Sequence, residues 1–398
     1  MSEKTKSNSG LAYLLYFCIL MNGFEAGGYQ VSLASIATQF HLSQSAMGGL
    51  ASIQLVAVLV APLLFGPLAD KWGKRRVLVI FMGLRIAACL LISIISAVTG
   101  LMIGIFLIGI SVSIVQYVAL AALSDAYPQS GKKKMGLITG MYSAGALSAP
   151  WLCGQLLDAG YSWKWLFIIL GLSALISINY LWRSDFASKE IREEAAIFTK
   201  GKFYGGGITL LCLIMFLYCG AENGIAFFMN SFAKNELQLA HAYWGLSLFW
   251  GAMIPSRLLA GGLYRYRKII LVISCAAAGI CLFGISIINS GWLFLSLSFI
   301  LGFVCGMIYP CVLNYMVDFA GSKSATASGL ISIACGLGGA IFATGFGLIA
   351  DWAGIRAAYV FLGIAMLVAL GCTMILIAYE RKWEVRNNNG KVSVKATE

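Results

Sequence analysis

The chain has 398 residues, of which 60% are hydrophobic and 11% are charged, and its mean hydropathy is +0.86. Soluble domains carry roughly 25% charged residues, so this composition excludes a water-soluble globular protein. The eleven cysteines lie in apolar runs without CxxC spacing, so no disulfide framework, metal site or cofactor is expected. The sequence therefore predicts an all-α integral membrane protein.

Twelve apolar segments are each long enough to cross the hydrocarbon core, which takes about 20 residues of helix. They lie at 11–34, 45–69, 77–98, 101–124, 135–157, 164–182, 204–230, 241–264, 268–289, 292–316, 326–350 and 357–379. Six segments precede a charged stretch and six follow it. We therefore expect a six-helix bundle at 1–182, a cytoplasmic linker at 183–203, a second six-helix bundle at 204–380 and a cytoplasmic tail at 381–398.

The lysines and arginines predict the orientation of these spans. With the N-terminus inside, 23 of the 28 lie in inner segments and three lie in outer segments. Such a bias places both termini in the cytoplasm. The net charge of +12 is then spread over short loops that face anionic lipid, so the expected partners are the bilayer and a small-molecule substrate, without nucleic acid.

The second half of the chain repeats the first at an offset of 193 to 197 residues. The segment 62–70 recurs at 257–265, and three acidic pairs share the offset: Glu25 with Glu222, Asp125 with Asp318, and Asp158 with Asp351. Two related six-span halves are typical of a transporter whose site lies between them.

A glycine-rich loop joins the second and third spans. It reads Gly66-Pro-Leu-Ala-Asp70-Lys71-Trp72-Gly73-Lys74-Arg75-Arg76, and it resembles the G-x-x-x-D-[RK]-x-G-[RK]-[RK] loop of the major facilitator superfamily. The resemblance implies the twelve-helix fold of that family and a gating role for Gly66, Asp70, Gly73, Lys74, Arg75 and Arg76. The glycines allow a tight reversal, and Asp70 can pair with basic neighbours or with a helix N-terminus. The copy in the second half has Arg265 in place of the acid, which predicts a degenerate latch there.

Looser motifs resemble the fucose- and hexose-permease-like branch of sugar:proton symporters. They are 216–222 (FLYCGAE), 247–251 (SLFWG) followed by 257–262 (RLLAGG), 325–330 (ATASGL) and 162–167 (SWKWLF). This resemblance implies proton-coupled sugar transport. The fourth span departs from that branch, because it offers Gln116 but no acidic residue.

Four charged residues lie well within predicted spans: Glu25, Arg85, Glu222 and Arg257. A charge at a helix centre costs about 2.5–3.5 kcal/mol unless it faces a cavity or a partner. We expect Glu25 and Glu222 to handle protons, and the alternative is that they are paired or protonated and only join helices. We expect Arg85 and Arg257, with Asp125, to act in gating. The alternatives for the arginines are an anion site or snorkelling to the surface.

Neutral polar and aromatic residues supply amide, hydroxyl and ring contacts suited to a polar solute, although any of them can instead bond two helices together. The candidates are Asn22, Tyr29, Gln54, Gln116, Tyr117, Tyr142, Asn223, Asn230, Trp250, Tyr309 and Asn314.

Together these features predict a secondary transporter that moves a small polar organic solute, with a sugar or sugar derivative favoured, by alternating access coupled to protons. The alternative within the same superfamily is an organic-anion or drug exporter. A membrane enzyme is not expected, because the sequence has no nucleotide loop and no HExxH motif. We expect a monomer in a bacterial cell membrane.

Overall fold

The computed structural model describes residues 3–66, 68–94, 97–126, 131–183, 203–320 and 323–395. Within these ranges it leaves the side chains at 3–9, 70, 124–125, 131–136, 139, 183, 261–262, 264, 324–325 and 381–395 undescribed. Every regular element in the described ranges is helical, which confirms the all-α fold class.

Twelve long helices and one short helix follow one another along the described chain. They are α1 (Glu3–Phe40), α2 (Gln44–Phe65), α3 (Leu68–Trp72), α4 (Lys74–Ile94), α5 (Val98–Ala126), α6 (Gly131–Asp158), α7 (Lys164–Arg183), α8 (Gly205–Asn235), α9 (Tyr243–Gly262), α10 (Arg267–Ile287), α11 (Gly291–Ala320), α12 (Ser324–Ala353) and α13 (Ile355–Lys395). A single 3₁₀ turn, Tyr264–Tyr266, precedes α10.

Ten of these helices are long and apolar enough to cross a membrane. The two long helices outside this group are α6, which opens on three lysines, and α9, which carries Arg257 and several glycines and serines. These two helices pack against each other between the halves of the molecule. They therefore present part of their surface to protein rather than lipid, which relaxes the demand for apolar side chains.

The helices extend beyond the predicted apolar segments. The first span was predicted to end at residue 34, but α1 continues to Phe40, and α13 continues to Lys395 through the predicted tail. Hydropathy marks only the part of a helix that lies in hydrocarbon, whereas a helix can continue in water on polar residues. The predicted linker lies, at 184–202, outside the described residues.

Two ends of the helix bundle serve as landmarks. At one end, Gly73 joins α3 to α4 with a φ of +83°, a conformation that glycine adopts without strain. We call it the Gly73 end; the short helix α3 there occupies part of the predicted loop. At the opposite end, α12 finishes just beyond Asp351 and α2 begins at Gln44. We call this the Asp351 end.

The helices form two groups with matching internal contacts. In the first group α1 packs on α6 and α2 on α5, and in the second group α8 packs on α12 and α9 on α11. The groups meet where α2 packs on α12, α6 on α9 and α1 on α8. Large apolar side chains such as Leu258 and Ile280 are exposed on the outer surface, as lipid requires. Trp292 and Trp352 are exposed at the Asp351 end, where a membrane interface favours tryptophan.

Candidate functional site

Glu25 lies on α1 and is only 2% exposed. Its Oε1 accepts a hydrogen bond of 2.6 Å from Nε2 of Gln54 on α2. Two residues that the sequence predicted as a proton site and a solute contact therefore bond to each other across two helices. Gln54 is neutral, so it cannot balance a negative charge on Glu25. A proton on Glu25 removes that charge and with it the cost of burying it.

Arg85 lies on α4 and is 1% exposed, within a network of side chains of the first half. Its Nη2 donates to Oδ1 of Asn22 at 2.6 Å, and its Nε donates to Oγ of Ser111 at 3.3 Å. Asn22 in turn donates to the carbonyl oxygen of Val112 at 2.9 Å. In this conformation Arg85 and Asn22 are therefore buried and bonded to protein partners, so a solute does not reach them.

The second half holds the Glu222 and Arg257 pair. Tyr218 donates its hydroxyl to Oε1 of Glu222 at 3.0 Å, and the same oxygen lies 3.6 Å from Nη2 of Arg257. The Glu222 side chain is 13% exposed and that of Arg257 is 33% exposed. Arg257 Nε is buried and has no hydrogen-bond partner among the described residues. The pair is therefore loose, partly accessible and incompletely bonded.

Two tyrosines connect these charges. Tyr142 on α6 interacts electrostatically with Glu25 of its own half and with Glu222 and Arg257 of the other half. Tyr309 on α11 is 38% exposed and interacts with the same Glu222 and Arg257. Tyr142 therefore lies within electrostatic range of both membrane carboxylates, and Tyr309 within that of Glu222.

Other predicted solute contacts lie elsewhere. Tyr29 is buried edge-on against Phe227 of the second half, with ring centroids 5.8 Å apart, and Trp250 donates to Gln30 Oε1 at 2.9 Å. Asn230 likewise donates to the carbonyl oxygen of Val31 at 2.9 Å. In this conformation these residues join α1 to the second half towards the Asp351 end.

The remaining neutral candidates have separate environments. Asn223 donates within its own helix to the carbonyl oxygen of Cys219 at 2.8 Å. Gln116 is a distant acceptor, 3.5 Å from Asn22 Nδ2. Tyr117 is exposed and Asn314 on α11 is half-buried.

Basic residues after Gly73 tie α4 to its neighbours. Lys74 Nζ donates to the carbonyl oxygen of Ala121 on α5 at 3.4 Å, and Arg75 Nη2 donates to that of Trp182 on α7 at 2.8 Å. Arg76 is exposed. Both bonded carbonyls lie near helix C-termini, which attract positive charge.

Two residues of the predicted gate cannot be placed. The side chains of Asp70 and Asp125 lie outside the described residues. Gly66 is placed, as the C-cap of α2. The latch proposed for Asp70 therefore stays a prediction.

The second half carries a charged cluster at the Gly73 end of the bundle, where α10 begins and α11 ends. Arg267 bonds Oδ2 of Asp318 at 2.5 Å and Oε1 of the buried Glu380 at 3.0 Å, and its guanidinium lies 4.3 Å from the ring centroid of Tyr315. Lys268 lies 3.2 Å from the other oxygen of Glu380. The loop motif alone did not indicate this cluster, although the repeat had singled out Asp318.

Sequence reasoning also missed Ser111, Gln30 and Tyr218 as partners of the candidate residues. Tyr218 precedes Glu222 by four residues, so helical spacing was a sufficient signal for that contact. Ser111 and Gln30 carried no comparable signal, because their partners lie on other helices.

Several curated proteins are similar to this chain. The nitrite extrusion protein of Bacillus subtilis (strain 168) is 24% identical over 318 residues, covering 77% of this chain and 78% of that protein. The uncharacterized transporter YycB of the same organism is 27% identical over 270 residues, covering 64% and 63%. The glucose transporter GlcP of Staphylococcus epidermidis (strain ATCC 12228 / FDA PCI 1200) is 25% identical over 162 residues, covering 41% and 36%. The matched regions of YycB and GlcP thus span less than two thirds of those proteins.

Solved structures share the fold. The nucleoside transporter NupG superposes with a TM-score of 0.73 at 15% identity, covering 92% of this chain and 99% of that chain. A bacterial homologue of the human lysosomal transporter Spinster, in an inward-facing and unoccupied conformation, gives 0.76 at 13% identity, covering 95% and 97%. The family model of the Major Facilitator Superfamily matches residues 15–343. Since this match covers most of its length, the chain belongs to the major facilitator superfamily of transporters.

Proposed function

We propose that this transporter moves a small polar organic solute, a sugar or sugar derivative, by alternating access coupled to protons. The observation that carries the proposal is the Glu25 and Gln54 pair, a buried carboxylate whose described hydrogen-bond partner is a neutral amide. Such a carboxylate gains a proton more readily in one access state than in another whenever its burial differs between them, and that difference is what couples a proton to transport.

The region between the halves suits a polar solute. Tyr142 and Tyr309 offer hydroxyls and ring faces, while Arg257 and Glu222 offer a charged donor and acceptor. Sugars are recognised by such combinations of hydrogen-bonding groups and an apolar platform. The looser motifs similar to sugar:proton symporters, and the similarity to a protein named a glucose transporter, support the same substrate class.

An organic anion is the second candidate, favoured by one observation. Arg257 is partly exposed and its Nε has no bonded partner among the described residues, so the guanidinium has donors available for a carboxylate. The nitrite extrusion protein that is similar to this chain is also named for an anion, although an inorganic one. Arg85 does not support this candidate, because it is 1% exposed and bonds Asn22 and Ser111 within the first half.

The charge bias orients the protein in a bacterial cell membrane with the Gly73 end and both termini in the cytoplasm. Gln30, Val31 and Phe227 make contacts between the halves towards the Asp351 end, whereas Tyr309 and Arg257 are partly exposed deeper in the molecule. We therefore assign the described conformation to the inward-open state, and we propose that the protein acts as a monomer.

The test is uptake by the purified protein in liposomes, driven by an inward proton gradient and run against a panel of neutral sugars, sugar derivatives and carboxylates. Gradient-driven accumulation of a neutral sugar supports the proposal. Accumulation restricted to carboxylates supports the second candidate, and uptake that ignores the gradient for every solute contradicts proton coupling.

A further inference from the structure

We propose that Asp158 and Asp351 form two equivalent clasps that join the halves at the Asp351 end, and that both open whenever the transporter exposes its site there. The proposal uses only the membership of a transporter family. It depends neither on the solute nor on a proton, so its test stands apart from that of the proposed function.

The first clasp joins α12 of the second half to α2 of the first. Oδ1 and Oδ2 of Asp351 accept hydrogen bonds from the backbone N–H groups of Gln44 and Ser45, each at 2.8 Å. These N–H groups open α2 and have no acceptor within their own helix. A carboxylate also complements the partial positive charge of a helix N-terminus. Ser43 caps the next N–H, that of Ala46, at 3.2 Å, so separation of the halves removes acceptors that α2 cannot replace itself.

The second clasp joins α6 of the first half to the start of α9 in the second. Oδ2 of Asp158 lies 2.8 Å from Nδ1 of His241, which precedes the first residue of α9 by two positions. The side chains are 40% and 62% exposed, so this contact lies at the rim of the interface. The two clasps therefore run in opposite directions: each half contributes one aspartate and receives the other.

The repeat in the sequence makes the two clasps equivalent. An offset of 193 residues relates Asp158 to Asp351, and an offset of 197 relates Gln44 to His241. Both offsets are those that align the two halves elsewhere. The repeat thus duplicates both the aspartate and the position that it binds. At Gln44 the aspartate binds a backbone N–H, and at His241 it binds the side chain.

A glycine one turn before each aspartate allows the close approach. A Cβ on Gly347 would collide with the carbonyl oxygen of Gln44, and a Cβ on Gly154 would collide with the ring of Tyr243. Since the glycines precede Asp351 and Asp158 by four residues, each clasp has the same two parts: a small residue that admits the opposite helix and a carboxylate that binds its start.

The α2–α12 interface continues the first clasp towards the middle of the molecule. Ser52 Oγ donates to the carbonyl oxygen of Ala340 at 2.5 Å and lies 2.7 Å from Oγ1 of Thr344. Ser52 is half-buried against α12 while the halves are closed at this end, and a reagent reaches it more readily when they separate. Position 52 can report on the clasps without direct contact with either of them.

The experiment measures how fast N-ethylmaleimide labels a cysteine at position 52 in the detergent-purified chain, by mass spectrometry of the peptide that contains it. All variants carry Ser52→Cys, and the eleven native cysteines, which are buried or half-buried, provide an internal reference. In Asp351→Asn an amide nitrogen replaces the oxygen that accepts from Ser45 N–H. The variant therefore loses one hydrogen-bond acceptor and the negative charge. We expect labelling to accelerate about fivefold, the ratio that corresponds to a typical helix cap. The gain for Asp158→Asn should be smaller, about twofold, because its contact with His241 is exposed.

The matched control is Glu236→Gln. Glu236 pairs with Arg356 at 3.1 Å at the same end of the molecule, but both residues belong to the second half, so labelling should keep the parental rate. His241→Ala breaks the second clasp through an exposed residue and should match Asp158→Asn, which keeps the test available if an aspartate variant fails to fold. Parental labelling rates in folded Asp351→Asn and His241→Ala would overturn the proposal. A gain in Asp351→Asn alone would overturn the second clasp.

Discussion

Glu25→Gln is the variant that tests the proton route most directly. Glutamine keeps the size of the side chain and can bond Gln54 through its own amide, so the 2.6 Å contact has a neutral replacement and the fold should be retained. The variant cannot release or bind a proton at this position. We expect it to exchange solute between equal concentrations across the membrane but to lose accumulation against a gradient.

The size of the effect follows from the number of proton sites. If Glu25 alone carries the proton, because Glu222 is held by Arg257 and Tyr218, one proton moves per solute. A pH difference of one unit, about 1.4 kcal/mol, then supports at most about tenfold accumulation of a neutral solute when the membrane potential is clamped at zero. If both carboxylates carry protons, the limit is about a hundredfold. Glu25→Gln should reduce the measured ratio to one in the first case and to about ten in the second.

The assay uses proteoliposomes of the parent, Glu25→Gln and Glu222→Gln, with a solute found by the uptake panel and a fixed pH difference. Glu236→Gln serves as the control, since its ion pair with Arg356 lies at the Asp351 end. Normal accumulation by Glu25→Gln together with none by Glu222→Gln would move the proton site to the second half. Normal accumulation by both variants would refute coupling through either carboxylate.

Three further variants test other parts of the molecule. Arg257→Lys should weaken the binding of an anionic solute roughly tenfold or more because a point charge cannot replace the guanidinium fork, whereas unchanged affinity, measured by competition, removes the anion candidate. Asn22→Leu should lower the stability of the detergent-purified protein by about 3 kcal/mol, since it leaves the buried Arg85 without its 2.6 Å acceptor; thermal unfolding at the parental temperature would contradict the network. Asp70→Asn should insert normally and slow turnover severalfold, and parental turnover under a saturating gradient would show that Asp70 serves only topology.

Much of the fold follows from the sequence because a bilayer restricts the options. Each span needs an uninterrupted apolar helix, and the repeat at an offset of 193 to 197 residues dictates that the halves resemble each other. The ends of the helices were less predictable, as α1 and α13 show, because helices continue into water where hydropathy no longer constrains them.

The candidate site was predictable only in part. The cost of burying a charge singled out Glu25, Arg85, Glu222 and Arg257, and each has polar partners in the structure. Which partner each one takes depends on how the helices are rotated against one another, a property that no local pattern records.

Arg85 shows the consequence for function. From the sequence alone, an arginine within a span is equally suited to a gate, an anion site or snorkelling, because all three require only its charge and depth. In the structure Arg85 bonds Asn22 and Ser111, so a residue expected to act in gating, with an anion site as one alternative, joins three helices of the first half. Arg257, of similar depth in the other half, is left partly exposed beside Glu222. The two arginines, on the non-equivalent helices α4 and α9, thus have different surroundings: Arg85 completes a buried network, while Arg257 keeps part of its guanidinium accessible.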